Sequence, residues 1–277
     1  MNYRHAFHAG NHADVLKHAV LLACLDRLAQ KPAPFAVLDA HAGIGRYDLN
    51  GEEAARSPEW RDGIEKLWNW PYAPALLAPL IAAVQAQNTD AGLRFYPGSP
   101  LLSAARLRPQ DRLVLCELHP QDFETLRANI RSVSNAELHR RDAWEALTAL
   151  LPPKEKRGLV LIDPPYEEPG ELAKAASAIR ASLKRFGHGM YLWWRPLKSA
   201  SELNRADSEL RAEGLKSWLR ADLWVDAPEP TGKLVGSSVF LINPPYGLRA
   251  QAEEALPQLA AKLALSPRSG WRLDGAE

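Results

Sequence analysis

The chain has few of the residues and runs that mark disulfide-bonded or membrane proteins. Only two cysteines occur among its 277 residues, and both Cys24 and Cys116 lie in apolar periodic segments. This usage favours reduced, buried thiols over a disulfide framework or a cysteine metal site. The most apolar stretch, ALLAPLIAAV, is far shorter than the roughly 20 residues that span a bilayer.

Net charge is also almost absent. Thirty-four Lys and Arg residues face 33 Asp and Glu residues, which leaves a formal charge of +1. Nucleic-acid binding would therefore need a local basic surface, because the whole molecule produces no strong positive field. The polar start, MNYRHAFHAGNHAD, has no apolar core of a secretory signal, and we expect a cytoplasmic protein that does not interact with membranes.

Apolar, β-rich runs that alternate with helical stretches are what the sequence does contain. At 46% hydrophobic residues, the length suffices for a single domain over 1–277. The seven strand-like segments are 35–40, 112–118, 136–143, 158–164, 189–195, 216–225 and 237–243. Helical connections predict a doubly wound, mostly parallel α/β sheet. The segment DAPEPTGKLVG before the last strand is too rich in proline and glycine for a helix, so that strand is predicted to be antiparallel.

Two further elements are predicted from spacing and caps. Roughly 70 residues separate the first two strands, several times a normal crossover, and we predict an inserted helical subdomain at 48–94. Before the first strand, Asn11 is a plausible cap for a helix with Val15, Ala19 and Leu22 at helical spacing.

Polar residues follow the predicted strands where ligands bind in open α/β sheets. Asp39, Gly43 and Gly45 form a turn that could approach a nucleotide-like cofactor, although a tight turn without a ligand explains them equally well. A dinucleotide fingerprint fits poorly because its third glycine is missing. Glu117 could accept hydrogen bonds from ribose hydroxyls, and Asp142 from an adenine amino group. Each acid alone would more often cap a helix, but together they favour an adenosine-containing cofactor.

The segment LIDPPY combines a carboxylate, two prolines and a tyrosine after the fourth strand. Asp163 and the carbonyl of Pro164 can accept hydrogen bonds from the two protons of an exocyclic amine, while Tyr166 offers a face on which a base can stack. Drawing the protons toward tetrahedral positions localises the amine lone pair and aims it at an electrophilic methyl group. This chemistry is positioning and electrostatics more than base catalysis.

A similar segment, LINPPY, ends the strand predicted to be antiparallel. Asn243 is therefore expected at the opposite edge of the sheet, too far away to act on the same base, with Tyr246 packed against the domain. The adjacent Trp193 and Trp194 must face opposite sides of their strand, so at least one is expected in the core.

Several motifs together resemble the RlmJ-type 23S ribosomal RNA adenine-N6 methyltransferases. They are YRHAFHAGNHADVLKH (3–18), DAHAGIGRY (39–47), YPGSP (96–100), ELHP (117–120) and LIDPPYE (161–167). The resemblance spans essentially the whole chain, and the amino-terminal block is its most specific part. It implies a Rossmann-like class I fold and S-adenosyl-L-methionine-dependent methylation of a specific adenine in 23S ribosomal RNA, with S-adenosyl-L-homocysteine as product.

The resemblance also implies roles for individual residues. The cofactor pocket would contain His18, His41, Ser99, Glu117, Asp142 and Asp163, to which the glycine turn adds Gly43. A backbone contact is expected at Ala143, where the family has glycine. Asp163 would be catalytic, beside Pro164 and Tyr166, and Lys17 is placed near the site. Tyr3, Arg4 and His5 would contact the RNA, with Arg4 on a phosphate.

The implied partner is protein-free or partly assembled 23S ribosomal RNA whose target base is flipped into the pocket, and we expect a monomer. DNA adenine-N6 and protein glutamine methyltransferases remain alternatives, because similar tetrapeptides serve there. So does a catalytically silent RNA-binding module, whereas the glycine pattern disfavours a nicotinamide oxidoreductase. No metal is expected, since His8 and His12 lack an accompanying cysteine or second carboxylate cluster.

Overall fold

The computed structural model describes residues 4–88, 92–198, 200–212, 214–227 and 234–276. Tyr3 lies outside the described residues. The elements in chain order are α1 (His12–Ala29), β1 (Ala36–Asp39), β2 (Arg46–Asp48), α2 (Glu52–Arg56), α3 (Ala78–Ala86), β3 (Phe95–Pro97), α4 (Ser99–Ala104), β4 (Arg112–Cys116), α5 (Pro120–Asn129), β5 (Ala136–His139), α6 (Ala143–Ala149), β6 (Gly158–Ile162), α7 (Glu171–Arg185), β7 (Met190–Pro196), α8 (Ala200–Arg211), β8 (Trp218–Trp224), β9 (Gly236–Ile242), α9 (Leu248–Leu263) and β10 (Gly270–Ala276).

Helix α1 begins at the predicted cap. The side-chain oxygen of Asn11 accepts hydrogen bonds from the backbone N–H groups of Ala13 and Asp14, which satisfies amides that have no partner within the helix. Val15, Ala19 and Leu22 are fully buried. Because the polar residues of its first half are buried as well, this part of the helix lies inside the molecule and can bring side chains to the edge of the sheet.

An eight-stranded sheet forms the centre, in the order β10-β8-β9-β7-β6-β1-β4-β5. The neighbours from β5 to β7 are parallel, and β9 is antiparallel to both β7 and β8. The predicted antiparallel last strand of the seven is therefore confirmed.

The expected strand number was wrong by one. Strand β10 pairs antiparallel with β8 along its whole length. Its sequence, GWRLDGA, contains two glycines and two charged residues. The strand is the outermost one on its side of the sheet, so only one of its two sides pairs with a neighbouring strand. Such a strand carries little of the apolar alternation by which strands are recognised in a sequence.

Alternating side chains of the strands pack into two apolar clusters, one on each sheet face. Leu159 and Leu161 belong to the cluster with α1 and α9, while Val160 and Ile162 belong to the cluster with α6, α7 and α8. Trp193 is fully buried in the second cluster and Trp194 packs partly buried against the first, which confirms the expected opposite orientations.

The segment between β2 and β3 consists of short helices, as expected. It contains α2, α3 and two 3-10 turns, and β2 and β3 pair antiparallel at its base. Its side chains Trp60, Ile64 and Leu80 share the apolar cluster of α1, and the N–H of Ile64 donates to the carbonyl of Gly10. That residues 48–94 form a distinct subdomain stays a prediction.

The LINPPY segment lies at the opposite edge of the sheet, as predicted. Asn243 follows β9 next to the start of β7, where its side-chain amide donates to the carbonyls of Gly187 and Gly189 at 3.0 and 2.8 Å. The expected packing of Tyr246 is wrong, because this side chain is 88% exposed. The turn in which the N–H of Leu248 donates to Pro245 places Tyr246 outside and buries Leu248 instead.

A buried ionic network joins the antiparallel strands to α8. Asp207 accepts hydrogen bonds from Arg195 on one oxygen and from Arg220 on the other, and Arg220 also pairs with Asp222. Arg195 further donates to the Ser238 hydroxyl at 2.9 Å. All of these side chains are almost completely buried, so Asp207 and Asp222 together compensate two desolvated guanidinium groups, and Asp207 is the acid that both arginines share.

Replacing that acid tests the network. We expect Asp207→Ala to lower the free energy of unfolding by roughly 3–5 kcal/mol, because two buried arginines lose their shared partner. The matched control on the same helix is Glu209→Ala, whose ion pair with Arg205 is exposed and contributes about 0.5 kcal/mol or less. Urea denaturation of both variants measures the difference, and equal effects would contradict the structural role given to Asp207.

Candidate active site

A cavity of about 190 Å³ opens at the edge of the sheet where the parallel strands β1, β4, β5 and β6 end. Every residue predicted for the cofactor pocket lies on its wall. These residues are His18, His41, Gly43, Ser99, Glu117, Asp142, Ala143 and Asp163. The topology thus brings together side chains that lie up to 145 positions apart in the sequence; their role as cofactor ligands stays a prediction.

Backbone conformation shapes the turn after β1. Gly43 and Gly45 adopt φ angles of 60° and 80°, in the left-handed region that glycine tolerates best. A Cβ atom on Gly43 would lie 2.4 Å from the hydroxyl of Tyr47, so a larger residue would not fit. The turn therefore leaves its backbone exposed to the cavity beside Glu117.

Glu117 is held in place by two backbone donors. One carboxylate oxygen accepts a hydrogen bond from the N–H of His119 at 2.8 Å, and the other from the N–H of Gly43 at 2.9 Å. Burial raises the pKa of this carboxyl above its ordinary value, against the effect of the two amides. Each oxygen keeps a second lone pair, so the group can still accept hydrogen bonds from a ligand.

Asp142 is both a helix cap and part of the cavity wall. One of its oxygens accepts hydrogen bonds from the N–H groups of Trp144 and Glu145 at the start of α6. The sequence presented capping and ligand binding as alternatives, but the structure places the capping acid on the cavity. The cap fixes the direction of the carboxylate, which is what recognition of a planar amine requires.

The catalytic candidate Asp163 pairs with Lys17 from α1. The Lys17 ammonium lies 2.5 Å from one oxygen of Asp163 and 2.7 Å from one oxygen of Asp14. Burial alone would lower the pKa of Lys17, but the two carboxylates outweigh this effect and raise it. Lys17 is therefore a permanently charged link between α1 and the end of β6.

Asp14 extends this link to the amino-terminal segment. Its second oxygen accepts hydrogen bonds from the ring of His5 at 2.9 Å and from the N–H of Gly10 at 2.8 Å. Sequence reasoning missed Asp14, because it does not line the cavity and acts through its neighbours. Its spacing of three residues from Lys17 on a helix was the available signal.

One oxygen of Asp163 remains for a ligand. Within the described ranges, the atom Oδ1 of Asp163 and the carbonyl oxygen of Pro164 accept no hydrogen bond, while the Asp163 N–H donates to the ring of His41. Both residues line the cavity. The arrangement offers two acceptors side by side, as the sequence predicted for an exocyclic amine.

Two of the histidines that line the cavity, His18 and His41, are neutral at pH 7. Burial lowers the pKa of His18 to about 3 and that of His41 to about 4. The ring of His18 hydrogen-bonds the Tyr96 hydroxyl at 2.7 Å, and His41 contacts Trp144 edge-on. Neutral rings place no positive charge of their own beside a cationic ligand.

Two predicted site residues do not line the cavity. Tyr166 lies beyond the prolines, where its hydroxyl hydrogen-bonds β7. Arg4 forms ion pairs with Glu53 and with Asp122, at 3.6 and 3.2 Å. A contact between Arg4 and a phosphate would have to compete with these carboxylates.

The sheet order with its antiparallel β9, together with the acids at the strand ends, defines a Rossmann-like class I methyltransferase. Comparison with known proteins identifies the family. A sequence model of the family described as "Ribosomal RNA large subunit methyltransferase D, RlmJ" matches residues 32–275, and the chain belongs to this family of methyltransferases.

Individual relatives agree with this assignment over nearly the full length. The chain is 41% identical over 263 residues to "Ribosomal RNA large subunit methyltransferase J" of Escherichia coli K12, covering 95% of this chain and 94% of that protein. It is 38% identical over 275 residues to the protein of the same name from Haemophilus influenzae, covering 99% and 98%. The crystal structure of a protein from Legionella pneumophila superimposes with a TM-score of 0.90 at 32% identity, covering 98% and 99%.

None of the helices in the described part of the chain is long and apolar enough to cross a lipid bilayer.

The neutral state of His18 predicts how stability depends on pH. Below about pH 6.5 the unfolded chain binds a proton at this position that the folded chain excludes, so stability falls as pH drops toward 3, by up to about 1.4 kcal/mol per pH unit. His18→Gln removes this contribution, and its unfolding free energy should fall less steeply between pH 6.5 and 4.5. Urea denaturation across that range measures both slopes. The same substitution at the exposed His188 serves as control, and parallel curves for wild type and His18→Gln would contradict the prediction.

Proposed function

We propose that this protein transfers a methyl group from S-adenosyl-L-methionine to N6 of one adenine in 23S ribosomal RNA. The observation that carries the proposal is the pair of acceptors at the end of β6, Asp163 and the Pro164 carbonyl, which face the same cavity as the cofactor residues. The names of the two bacterial relatives support an RNA of the large ribosomal subunit as substrate.

The chemistry of the cavity wall fits the proposed cofactor. Glu117 can accept hydrogen bonds from ribose hydroxyls, and Asp142 can accept one from the adenine amino group. The backbone at Gly43 is open to a close approach, and the neutral His18 and His41 do not repel a positive sulfur. When bound, S-adenosyl-L-methionine supplies an electrophilic methyl group on that sulfur.

The residues after β6 prepare the amine for attack. Asp163 and the Pro164 carbonyl each accept a hydrogen bond from one N6 proton, which turns the lone pair away from the ring and toward the methyl carbon. A nitrogen–carbon bond forms as the carbon–sulfur bond breaks, and the electrons of the broken bond remain on sulfur. The methylated nitrogen then loses its extra proton through the Asp163 carboxylate to solvent, which leaves S-adenosyl-L-homocysteine as the second product.

Lys17 supports this step without taking the proton. Its ammonium occupies one oxygen of Asp163 and holds that carboxylate in its orientation. Asp14 shares the ammonium, so the positive charge does not fall on Asp163 alone. Asp163 thereby keeps acceptor strength for the amine of the substrate.

The substrate must present an unpaired base, because the acceptors lie inside a cavity that a base pair cannot enter. We propose a flipped adenine in protein-free or partly assembled RNA. This base would extend past the prolines to stack on Tyr166, which lies outside the cavity wall, and the segment of Tyr3, Arg4 and His5 would contact the neighbouring backbone. His5 already lines the cavity. We further propose that the enzyme acts in the cytoplasm as a monomer.

Substrate choice is tested by methyl transfer to four candidate substrates. Protein-free 23S ribosomal RNA should be methylated, and mass spectrometry should map a single N6-methyladenosine. Assembled large subunits, duplex DNA and a peptide-release factor should give little or no product. Methylation of DNA or of a glutamine in place of RNA would overturn the proposal, and failure to bind S-adenosyl-L-homocysteine in calorimetry would indicate a silent RNA-binding module.

Asp163→Ala tests the role of the first acceptor. Turnover on RNA should fall by roughly 100-fold or more, because one of two groups that orient the amine is lost. The matched control is Asn243→Ala in the look-alike segment at the opposite edge of the sheet, which should retain turnover. Equal loss in both variants, or unchanged turnover of Asp163→Ala, would be inconsistent with the mechanism.

Glu117→Gln tests cofactor recognition. The substitution removes a charged acceptor for ribose hydroxyls, and the dissociation constant for S-adenosyl-L-homocysteine should rise roughly tenfold to 100-fold in calorimetry. Glu145→Gln is the control, since Glu145 is exposed on the nearby α6 and lies outside the cavity wall. An unchanged dissociation constant for Glu117→Gln would remove this residue from the proposed pocket.

A further inference from the structure

The hydroxyl of Tyr166 makes two hydrogen bonds that stacking on a base does not require. It donates to the backbone carbonyl of Trp194 and accepts from the indole N–H of Trp193, each at 2.8 Å. Both partners belong to β7. A phenylalanine would offer the same ring face, so the hydroxyl has a function of its own.

The surrounding backbone explains why this segment needs an anchor. Pro164 and Pro165 have no N–H group, and Tyr166 itself adopts a φ of 54°. This left-handed conformation is strained for a residue with a Cβ atom. In the described residues, the N–H of Tyr166 donates no hydrogen bond either. The hydroxyl of Tyr166 therefore makes the hydrogen bonds that hold this turn against β7.

The side chain of Trp193, which donates this hydrogen bond, is itself held in place by its surroundings. Trp193 is fully buried, and the guanidinium of Arg195 lies 4.7 Å from its ring centre. Arg195 is in turn bound to Asp207 and to Ser238 within the ionic network. Burial also raises the pKa of the Tyr166 phenol, so the hydroxyl keeps its proton and acts as an anchor.

We propose that Trp193 is a positioning residue for methyl transfer, because its indole N–H fixes Tyr166 and thereby the Pro164 carbonyl and the stacking surface for the target base. The inference rests on the proposed function, in which these two groups hold the adenine. It assigns a role in the reaction to a side chain that does not line the cavity.

Two conservative variants remove this hydrogen bond from either side. Trp193→Phe deletes the donor and Tyr166→Phe deletes the hydroxyl, while both retain an aromatic ring. We expect each to lower kcat on 23S ribosomal RNA roughly fivefold to tenfold, with the dissociation constant for S-adenosyl-L-homocysteine unchanged, as for loss of one to two hydrogen bonds. The double variant should match Tyr166→Phe, because the second substitution removes a bond that is already absent.

Matched controls separate positioning from loss of core packing. Trp218→Phe shortens another tryptophan of the same apolar cluster, which stacks on Phe240. Tyr191→Phe removes another hydroxyl from β7, one that donates to Phe186 at the far end of that strand. Both controls should keep wild-type kcat even where their melting temperatures fall as far as that of Trp193→Phe.

The outcomes assign failure to one proposal or the other. If wild type does not methylate the RNA, the proposed function fails. If wild type is active but Trp193→Phe turns over like Trp218→Phe, or if the effects of the two anchor variants add, the role of Trp193 is refuted. Because Trp193→Phe alters the core, Tyr166→Phe provides a second test on a partly exposed residue; wild-type kcat in that variant would equally refute the inference.

Discussion

The site depends on the two ion pairs that the ammonium of Lys17 forms. This ammonium joins α1 to the end of β6 by contacting Asp14 and Asp163 inside the protein, where an unpaired charge would cost several kcal/mol. One cation between two carboxylates leaves one negative charge without a counter-charge. Hydrogen bonds from His5 and Gly10 to Asp14 stabilise that remaining charge. The amino-terminal segment, α1 and the cavity wall at the end of β6 are thus held together by one set of ion pairs and hydrogen bonds.

Elsewhere in the cavity, single carboxylates both stabilise the fold and form part of the cavity wall. Asp142 caps α6 while it lines the cavity, and Glu117 fixes the glycine turn through the same carboxylate that lines the cavity. Groups that already serve the fold are oriented before a ligand arrives, so binding need not order them. The same logic applies to Tyr166, whose position follows from β7 and not from the substrate.

Much of this architecture follows from short-range patterns. The seven apolar runs, the Asn11 cap and the helix-free connection before 237–243 predicted the sheet, its direction and the separation of Asp163 from Asn243. The pairing of Lys17 with Asp163 could not be predicted in detail, because the partners lie 146 positions apart. The burial of Arg195 could not be predicted from the sequence either, because its partner Asp207 lies on another element. Tyr246 has the same preceding residues as Tyr166, yet the turn that follows it buries Leu248 and leaves Tyr246 exposed.

Strand β10 has a consequence for the behaviour of the molecule in solution. It hydrogen-bonds β8, a strand that carries the buried Arg220 and Asp222. It thereby shields the backbone of β8 from pairing with other chains. Its own outer edge presents Arg272 and Asp274, charges of the kind that discourage edge-to-edge pairing of sheets. The strand least visible in the sequence therefore covers one lateral edge of the sheet. A chain cut before Gly270 would expose β8 to pairing with other chains, although the strands whose ends form the cavity lie toward the other end of the strand order.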